Sequence, residues 1–328
     1  MLYFIKKMRE KTVNLKQDAA IHAPCKINVH LRIKDRRSDG YHNIESIFLA
    51  LAFGDVLRFQ LTGDEGVCAI QMDWRFFQDS GICAEELEPL PAEKNSIHQA
   101  VSLFRDRTGF NRGIQVYVEK RIPLGAGLGG GSSDAASTLS ALNVLAGTAL
   151  APRVLKELAE TLGSDVPFFL YGGAAWVSGR GEQITPIRMP EGLSVVLAYP
   201  GFPSNTGKAF RLLDETRFVQ GYVSDESRTE TLIHTLSEHP GKWTYQNDFL
   251  PVFLAEGDKE AVTAYRRILK TLDAAGADFT GLSGSGSACF GIFVDGGMAE
   301  KAVQAVDRQR NFVQLTIPLA HFPNRVLE

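Results

Sequence analysis

The 328-residue sequence lacks close cysteine pairs, long apolar runs and a strong net charge. Its four cysteines are scattered, which argues against a disulfide framework and against a zinc site, and fits a reducing compartment. The apolar stretches fall far short of the roughly 20 residues that cross a bilayer, so no membrane partner is expected. A formal net charge of −3 gives no general attraction for nucleic acid.

The N-terminal segment is apolar over Met1 to Ile5 and basic directly afterwards. It has no apolar stretch of about 7 to 15 residues such as a secretory signal requires, so we expect a cytoplasmic protein. Residues 1–20 are charge-dense without a sustained period and predict an extension outside the core. The length favours two domains, which we predict at 21–195 and 196–328.

Hydrophobic periodicity indicates an α+β protein. Short alternating apolar runs predict strands between 21 and 59, and the polar stretch at 62–95 predicts a loop or an irregular hairpin. A strand pair at 174–178 and 195–199 is expected to close the first half. The predicted helices are 96–107, 132–146, 152–162, 208–213, 227–236 and 261–275, and the late strands are 288–294 and 313–318.

A glycine-rich run leads directly into a predicted amphipathic helix. Five of the seven residues from 125 to 131 are glycine, which costs conformational entropy on folding. Such a cost is typical of a backbone that approaches a ligand closely, and N–H groups ahead of a helix N-terminus bind phosphate. The run comprises Pro123, Leu124, Gly125, Ala126, Gly127, Leu128, Gly129, Gly130, Gly131, Ser132 and Ser133.

Two other phosphate motifs fit this run less well. The Walker A pattern requires a lysine where Gly131 stands, so a standard P-loop is excluded. A dinucleotide fingerprint is formed by Gly125, Gly127 and Gly130, but it also requires a strand with a ribose-binding acid about 20 residues later, and here a second helix follows. A flexible surface loop is the remaining alternative.

The whole run resembles the nucleotide loop of the GHMP kinases, and two further segments resemble other motifs of that family. These segments are 23–29 near the N-terminus and 281–288 near the C-terminus. The resemblance implies a two-domain α+β fold, with an N-terminal domain like domain 2 of ribosomal protein S5 and a ferredoxin-like C-terminal domain. It implies ATP and Mg²⁺ as cofactors, with the loop on the phosphates and Ser132 or Ser133 near the metal ion.

Lys26 and Asp165 are the candidate catalytic residues. Phosphoryl transfer to an alcohol needs an aligned hydroxyl, neutralised phosphate charge and a proton acceptor. Lys26 lies mid-strand among apolar residues, where an exposed lysine is the alternative explanation. Asp165 alone is explained as the N-cap of a helix beginning at Val166. The segment 163–169 resembles a motif in which the aspartate is the proposed base, so we expect Asp165 to accept the proton and Lys26 to support the alkoxide.

The segment 36–44 resembles a signature of the GHMP branch that phosphorylates a diphosphocytidyl-linked methylerythritol. A small-molecule substrate of this cytidine diphosphate type is therefore implied, with Tyr41 and His42 at the cytidine and Asn28 on the substrate. A tyrosine offers a stacking face and a histidine offers a donor or an acceptor. A turn followed by a half-buried tyrosine is the alternative.

Further site residues follow from weaker matches to the same family. Lys94, Asn95 and Lys120 are expected on the ATP side, although Lys120 also fits an exposed strand lysine. The expected residues of the substrate pocket are Phe202, Thr206, Gly284, Ser285 and Gly286.

Three other functions remain open from the sequence. These are another GHMP kinase of the mevalonate or homoserine type, a non-catalytic binding protein of this fold, and a Rossmann oxidoreductase. We expect a monomer or a weak homodimer.

Overall fold

The computed structural model describes residues 18–77, 91–220, 232, 235–320 and 326–327. Most of the predicted extension at 1–20, most of the predicted helix at 227–236 and Cys83 lie outside these residues. Among the described helices, none is long and apolar enough to cross a membrane. The first strand begins at Asp18 rather than at 21, since residues 18–20 continue its pairing.

Within the described residues, the first sheet has seven strands: β1 (Asp18–Arg36), β2 (His42–Thr62), β3 (Cys68–Asp73), β4 (Gly113–Glu119), β5 (Ala174–Ser178), β6 (Gln183–Ile187) and β11 (Val326–Leu327). Their order is β11-β1-β2-β4-β3, with β5 beside β2 and β6 beside β5. The β3–β4 pair is parallel and the other pairs are antiparallel. The loop prediction for 62–95 is therefore wrong over β3, an edge strand whose short alternation is too weak to recognise.

The helices that accompany this sheet in the described ranges are α1 (Ser96–Thr108), α2 (Gly130–Leu145), α3 (Pro152–Leu162) and the short α4 (Phe168–Tyr171). The helices predicted at 96–107, 132–146 and 152–162 are confirmed within two residues at each end. Helix α1 buries Ile97, Ala100, Val101 and Phe104, which recur at helical spacing. These helices and one face of the sheet enclose a common hydrophobic core.

In the described part of the chain, the second sheet has four strands: β7 (Ser194–Tyr199), β8 (Phe279–Leu282), β9 (Cys289–Phe293) and β10 (Phe312–Thr316). Their order is β10-β7-β9-β8. The later helices are α5 (Thr206–Gln220), α6 (Phe249–Glu256), α7 (Lys259–Ala274) and α8 (Gly296–Ala305). The strand predicted at 195–199 was grouped with the first half, which is wrong. Its partners β9 and β10 come much later in the chain, and a local pattern cannot reveal them.

Strand β1 is irregular where it approaches the glycine-rich run. Its register with β2 shifts between Pro24 and Cys25, one residue before Lys26. Proline cannot donate to the ladder, and a bulge redirects the side chains that follow it. Opposite this point, a Cβ on Gly54 would stand 2.3 Å from the carbonyl oxygen of Ala23, so only glycine fits. The bulge therefore determines how Lys26 leaves the strand.

Candidate active site

The glycine-rich run forms a concave backbone surface at the start of α2. Gly125, Gly127 and Gly129 have φ angles of +61°, +75° and +74°, a left-handed conformation that favours glycine. Residues that alternate between left- and right-handed conformations turn successive N–H groups inward and create an anion-binding nest. Helix α2 begins directly afterwards, so its positive end faces the same space. The predicted phosphate loop thus has the geometry that such a loop requires.

Lys26 lies directly against this loop. Its backbone N–H donates to the carbonyl oxygen of Leu128 at 2.9 Å, which joins β1 to the loop. The residue is only 4% exposed. Its Nζ donates to Asn28 Oδ1 at 2.6 Å, lies 3.4 Å from Asp165 Oδ2, and stands 4.6 Å from the centre of the Phe48 ring. The alternative of an exposed strand lysine is therefore wrong.

Asp165 follows α3, and its carboxylate faces Lys26 rather than a helix end. Helix α4 begins at Phe168 with Pro167 as its N-cap, and within the described residues this cap makes no side-chain hydrogen bond. The alternative of Asp165 as an N-cap is accordingly wrong. Its side chain is 31% exposed, so the carboxylate is open to the adjoining cavity.

Asn28 links β1 to the C-terminal glycine motif. Its Nδ2 donates to Ser46 Oγ at 2.9 Å, and its backbone N–H donates to Ser283 Oγ at 3.3 Å. Ser283 in turn donates to the carbonyl oxygen of Gly127 at 2.9 Å. The hydroxyl of Ser283 therefore joins three sequence-distant motifs, and the bond to Ser46 fixes the side-chain amide of Asn28 next to Lys26.

A cavity of about 770 Å³ joins these motifs. Most of the predicted site residues line it: Lys26, Asn28, Tyr41, His42, Lys120, residues 123–132, Asp165, Thr206, Gly284 and Ser285. Thr206 Oγ1 lies 3.1 Å from Ser285 Oγ, so the two C-terminal segments meet at the cavity wall. The structure thus brings together residues that are up to 259 positions apart in the sequence.

Two predicted substrate residues lie away from the cavity. Phe202 packs against the core of the second sheet, with its ring centre 6.0 Å from that of Tyr265. A Cβ on Gly286 would stand 3.0 Å from the hydroxyl of the same Tyr265, so this glycine also faces that core. These two positions lie outside the cavity lining, and their assignment to the substrate stays a prediction.

Three predicted ATP-side residues also lie outside the cavity lining. Asn95 is the N-cap of α1, and its Oδ1 accepts hydrogen bonds from the N–H groups of Ile97 and His98 at 2.9 and 3.4 Å. Lys94 is exposed in a short 3₁₀ helix. Ser133 is buried in α2, and its hydroxyl has no hydrogen-bond partner in the part of the chain that the structure describes.

Lys120 is buried in a charged cluster beneath the loop. Its Nζ donates to Asp55 Oδ2 at 2.5 Å and to Asp134 Oδ2 at 2.8 Å. Burial alone would lower the pKa of this ammonium, but Asp134 and Asp55 together raise it. Burial raises the pKa of Asp134 to about 7, against the opposing effect of Lys120. The alternative of an exposed strand lysine is therefore wrong for Lys120 as well. Its ammonium group donates hydrogen bonds to the carboxylates of Asp55 and Asp134.

The opposite end of the cavity is aromatic. His42 is buried, and its Nε2 lies 2.8 Å from Asp214 Oδ1. The His42 ring stacks on that of Phe210 at 4.9 Å between centres and 17° between planes. Tyr41 is 52% exposed and lines the same cavity. Flat apolar surfaces with a few polar atoms suit a heteroaromatic ring.

Sequence reasoning missed Phe210 and Asp214, both of which line the cavity. They follow Thr206 at intervals of four residues on α5, and residues at that spacing share a helix face. The prediction of a helix at 208–213 was too short at both ends for this stripe to be recognised. A helix starting at Thr206 would have selected Phe210 rather than Phe202.

The chemistry available here is that of phosphoryl transfer to an alcohol. A nest of backbone N–H groups, a buried ammonium and an open carboxylate converge on one cavity, and aromatic side chains line the same cavity. Within the described residues, no group of three or more His, Cys, Asp or Glu side chains could hold a metal ion by itself.

Two family models match the chain in succession. One describes the N-terminal domain of GHMP kinases and matches residues 95–173, and the other describes their C-terminal domain and matches residues 240–311. The chain is also 37% identical over 285 residues to a 4-diphosphocytidyl-2-C-methyl-D-erythritol kinase from Treponema pallidum (strain Nichols), which covers 85% of this chain and 91% of that protein. An enzyme of the same description from Xanthomonas euvesicatoria pv. vesicatoria is 34% identical over 281 residues, covering 86% and 84%.

Solved structures show the same architecture. A crystal structure of 4-(cytidine 5'-diphospho)-2C-methyl-D-erythritol kinase superposes with a TM-score of 0.70 at 28% identity, covering 91% of this chain and 98% of that one. Homoserine kinase from Cytophaga hutchinsonii superposes with a TM-score of 0.69 at 19% identity, covering 96% and 98%. At that lower identity the second likeness concerns the fold alone. The predicted α+β fold of the GHMP kinases is confirmed.

Proposed function

The chain belongs to the GHMP kinase family, within its 4-diphosphocytidyl-2-C-methyl-D-erythritol kinases, and from that premise we propose that it phosphorylates the 2-hydroxyl of this substrate with ATP. The product is a precursor of isopentenyl diphosphate in the methylerythritol phosphate route. One observation carries the proposal: Lys26 is hydrogen-bonded to the phosphate loop through its backbone and faces Asp165 through its side chain. The ATP site and the site of the substrate hydroxyl therefore adjoin each other at Lys26.

The reaction follows from this arrangement. The substrate hydroxyl oxygen forms a bond to the γ-phosphorus of ATP, the bond from that phosphorus to the β–γ bridging oxygen breaks, and ADP leaves. Asp165 accepts the hydroxyl proton, a contribution that is typically about 10²- to 10⁴-fold in rate. Lys26 neutralises charge on the nucleophilic oxygen and on the transferred group, while Asn28 fixes the direction of the ammonium.

The ATP end is formed by the glycine loop and the start of α2. Ser132 lines the cavity at the first turn of this helix, with Asp165 on the same cavity. Mg²⁺ usually keeps several waters and binds through phosphates with one or two protein oxygens, so it needs no preformed cage of side chains. The hydroxyl oxygen of Ser132 fits that requirement and would be one ligand of the ion. When bound, Mg²⁺ neutralises charge on the phosphates.

The cytidine end is formed by Tyr41, His42 and Phe210. The His42 ring is fixed by stacking on Phe210 and by Asp214, which leaves a defined polar edge. A cytosine base offers a flat face and an amide-like edge to such a surface. This end supports a nucleotide-linked alcohol over a small free alcohol.

The test is a comparison of substrates. ADP release from MgATP is measured with diphosphocytidyl-methylerythritol, mevalonate and homoserine at equal concentrations. The proposal requires turnover with the first and background rates with the other two. Equal or greater turnover with mevalonate or homoserine would reject the proposed substrate, and ATP binding without turnover on any of them would indicate a non-catalytic protein.

A further inference from the structure

The tip of the β5–β6 hairpin is held in one conformation beside the cavity. The N–H of Gly181 donates to the carbonyl oxygen of Ser178 at 3.2 Å, and the N–H of Arg180 donates to Glu182 Oε2 at 2.9 Å. From β2, the N–H of Ile44 donates to the carbonyl oxygen of Gly179 at 2.7 Å. Arg180 therefore leaves a turn that is fixed on both sides.

Arg180 lies beside Tyr41 and next to the segment that carries Asp165. Its guanidinium carbon lies 5.3 Å from the centre of the Tyr41 ring, on the cytidine side. Its Nη2 donates to the carbonyl oxygen of Glu160 at 2.9 Å, and a Cβ on the adjoining Gly181 would stand 3.0 Å from the Cβ of Ser164. Ser164 directly precedes Asp165. The guanidinium thus lies between the aromatic end and the segment that carries the proposed base.

The guanidinium retains capacity for a ligand. Its side chain is 30% exposed and lines the cavity, and its contact with Glu182 is long, at 3.9 Å. A guanidinium carries five donors in a planar fork, and stacking on an aromatic ring leaves the edge of that fork available. The edge is suited to two neighbouring phosphate oxygens.

We propose that Arg180 binds the diphosphate that links the cytidine to the alcohol. This inference depends on the proposed function, because it assumes a ligand whose base contacts Tyr41 and whose hydroxyl reaches Asp165. Such a ligand must carry its negative charge through the region between those residues. The positive charge of Arg180 attracts the diphosphate, and its planar donors fit two neighbouring phosphate oxygens. Arg180 therefore contributes to substrate selection.

The test separates the diphosphate from the base. Affinities for CDP and for cytidine are measured by calorimetry with wild type, Arg180→Met and Arg180→Lys at low ionic strength. Arg180→Met should weaken CDP by about 10-fold or more, the scale of a charge-assisted hydrogen bond, and leave cytidine within about 2-fold. Arg180→Lys keeps the charge without the fork and should recover part of the CDP affinity. Arg153→Met, on the exposed face of α3, is the matched control and should change neither.

Two results would overturn the inference. Unchanged CDP affinity in Arg180→Met would show that the guanidinium does not contact the diphosphate. An equal loss for CDP and cytidine would show that Arg180 acts only by supporting Tyr41. Failure of the proposed function gives a different result, because the wild type itself would then fail to phosphorylate the cytidine-linked alcohol.

Discussion

Alanine at position 129 would introduce a methyl group into a space that the folded loop does not have. The Cβ would stand 2.8 Å from a ring atom of Phe169 and 3.1 Å from Cγ of Lys26, at a φ of +74°. The left-handed conformation costs about 1–2 kcal/mol for a residue other than glycine. Overpacking against the buried Phe169 ring destabilises the folded state by about 1–3 kcal/mol more. Alanine also lowers the conformational entropy of the unfolded chain, which offsets about 0.4–1 kcal/mol of the destabilisation. Gly129→Ala should therefore lower the free energy of unfolding by about 1–5 kcal/mol.

Gly131→Ala is the matched control in the same run of glycines. Position 131 lies within the first turn of α2, and its Cβ would meet Ser96 Oγ at an ordinary 3.5 Å. Alanine is favoured over glycine in a helix by about 0.5–1 kcal/mol. The two substitutions add the same atom two residues apart, yet they should change stability in opposite directions.

Urea unfolding followed by circular dichroism measures both effects, provided that the slope with denaturant stays constant. The added methyl of Gly129→Ala also contacts Lys26. The turnover of this variant with MgATP should therefore fall even at temperatures where the variant is fully folded. Equal stability of the two variants, or a stabilised Gly129→Ala, would refute the loop conformation on which the phosphate site depends.

Three further predictions concern the buried cluster and the aromatic end. Lys120→Met should cost about 3–5 kcal/mol of unfolding free energy, because it leaves two buried carboxylates without their cation, whereas the exposed Lys94→Met should cost nothing measurable by the same urea titration. The pKa of Asp134 is raised from 3.8 to about 7, so the folded protein keeps a proton that the unfolded chain releases. The free energy of unfolding should therefore fall as pH rises from 3.8 to about 7, and Asp134→Asn should flatten this dependence; an unchanged slope would contradict it. Phe210→Leu should raise KM for the cytidine-linked alcohol about 2- to 10-fold without changing KM for ATP, and a rise in both would argue against stacking on the base.

The glycine loop could be recognised from the sequence because its cost is local. Five glycines before an amphipathic helix cost conformational entropy, so they are expected where the backbone must approach another group closely. The structure shows such an approach at Gly127, where a Cβ would collide with the backbone carbonyl oxygen of Ser283. Helices α1, α2 and α3 were predictable for the same reason, since their apolar spacing is contained in each segment. Lys26 and Asp165 were identified through motifs, and the structure brings them to 3.4 Å.

Other features depend on pairings that no local pattern contains. Lys120 looks like any strand lysine until Asp55, 65 residues earlier, is placed beside it. The sequence did not single out Phe210, because Phe202 and Phe210 are equally aromatic and only the path of the chain into α5 shows that Phe210 lines the cavity. Strand β7 looked local to the first sheet because its partners in β9 and β10 come much later in the chain.

The proposed mechanism requires Asp165 to take the proton from an alcohol that is bound between Asp165 and the phosphate loop. It is tested most directly by the single-turnover rate of phosphoryl transfer in Asp165→Asn, measured with saturating MgATP and diphosphocytidyl-methylerythritol and accompanied by the ATP dissociation constant. We expect a loss of about 10²- to 10⁴-fold in the rate, with ATP affinity within about 3-fold of wild type. An unimpaired transfer rate in a variant that binds both ligands would contradict it.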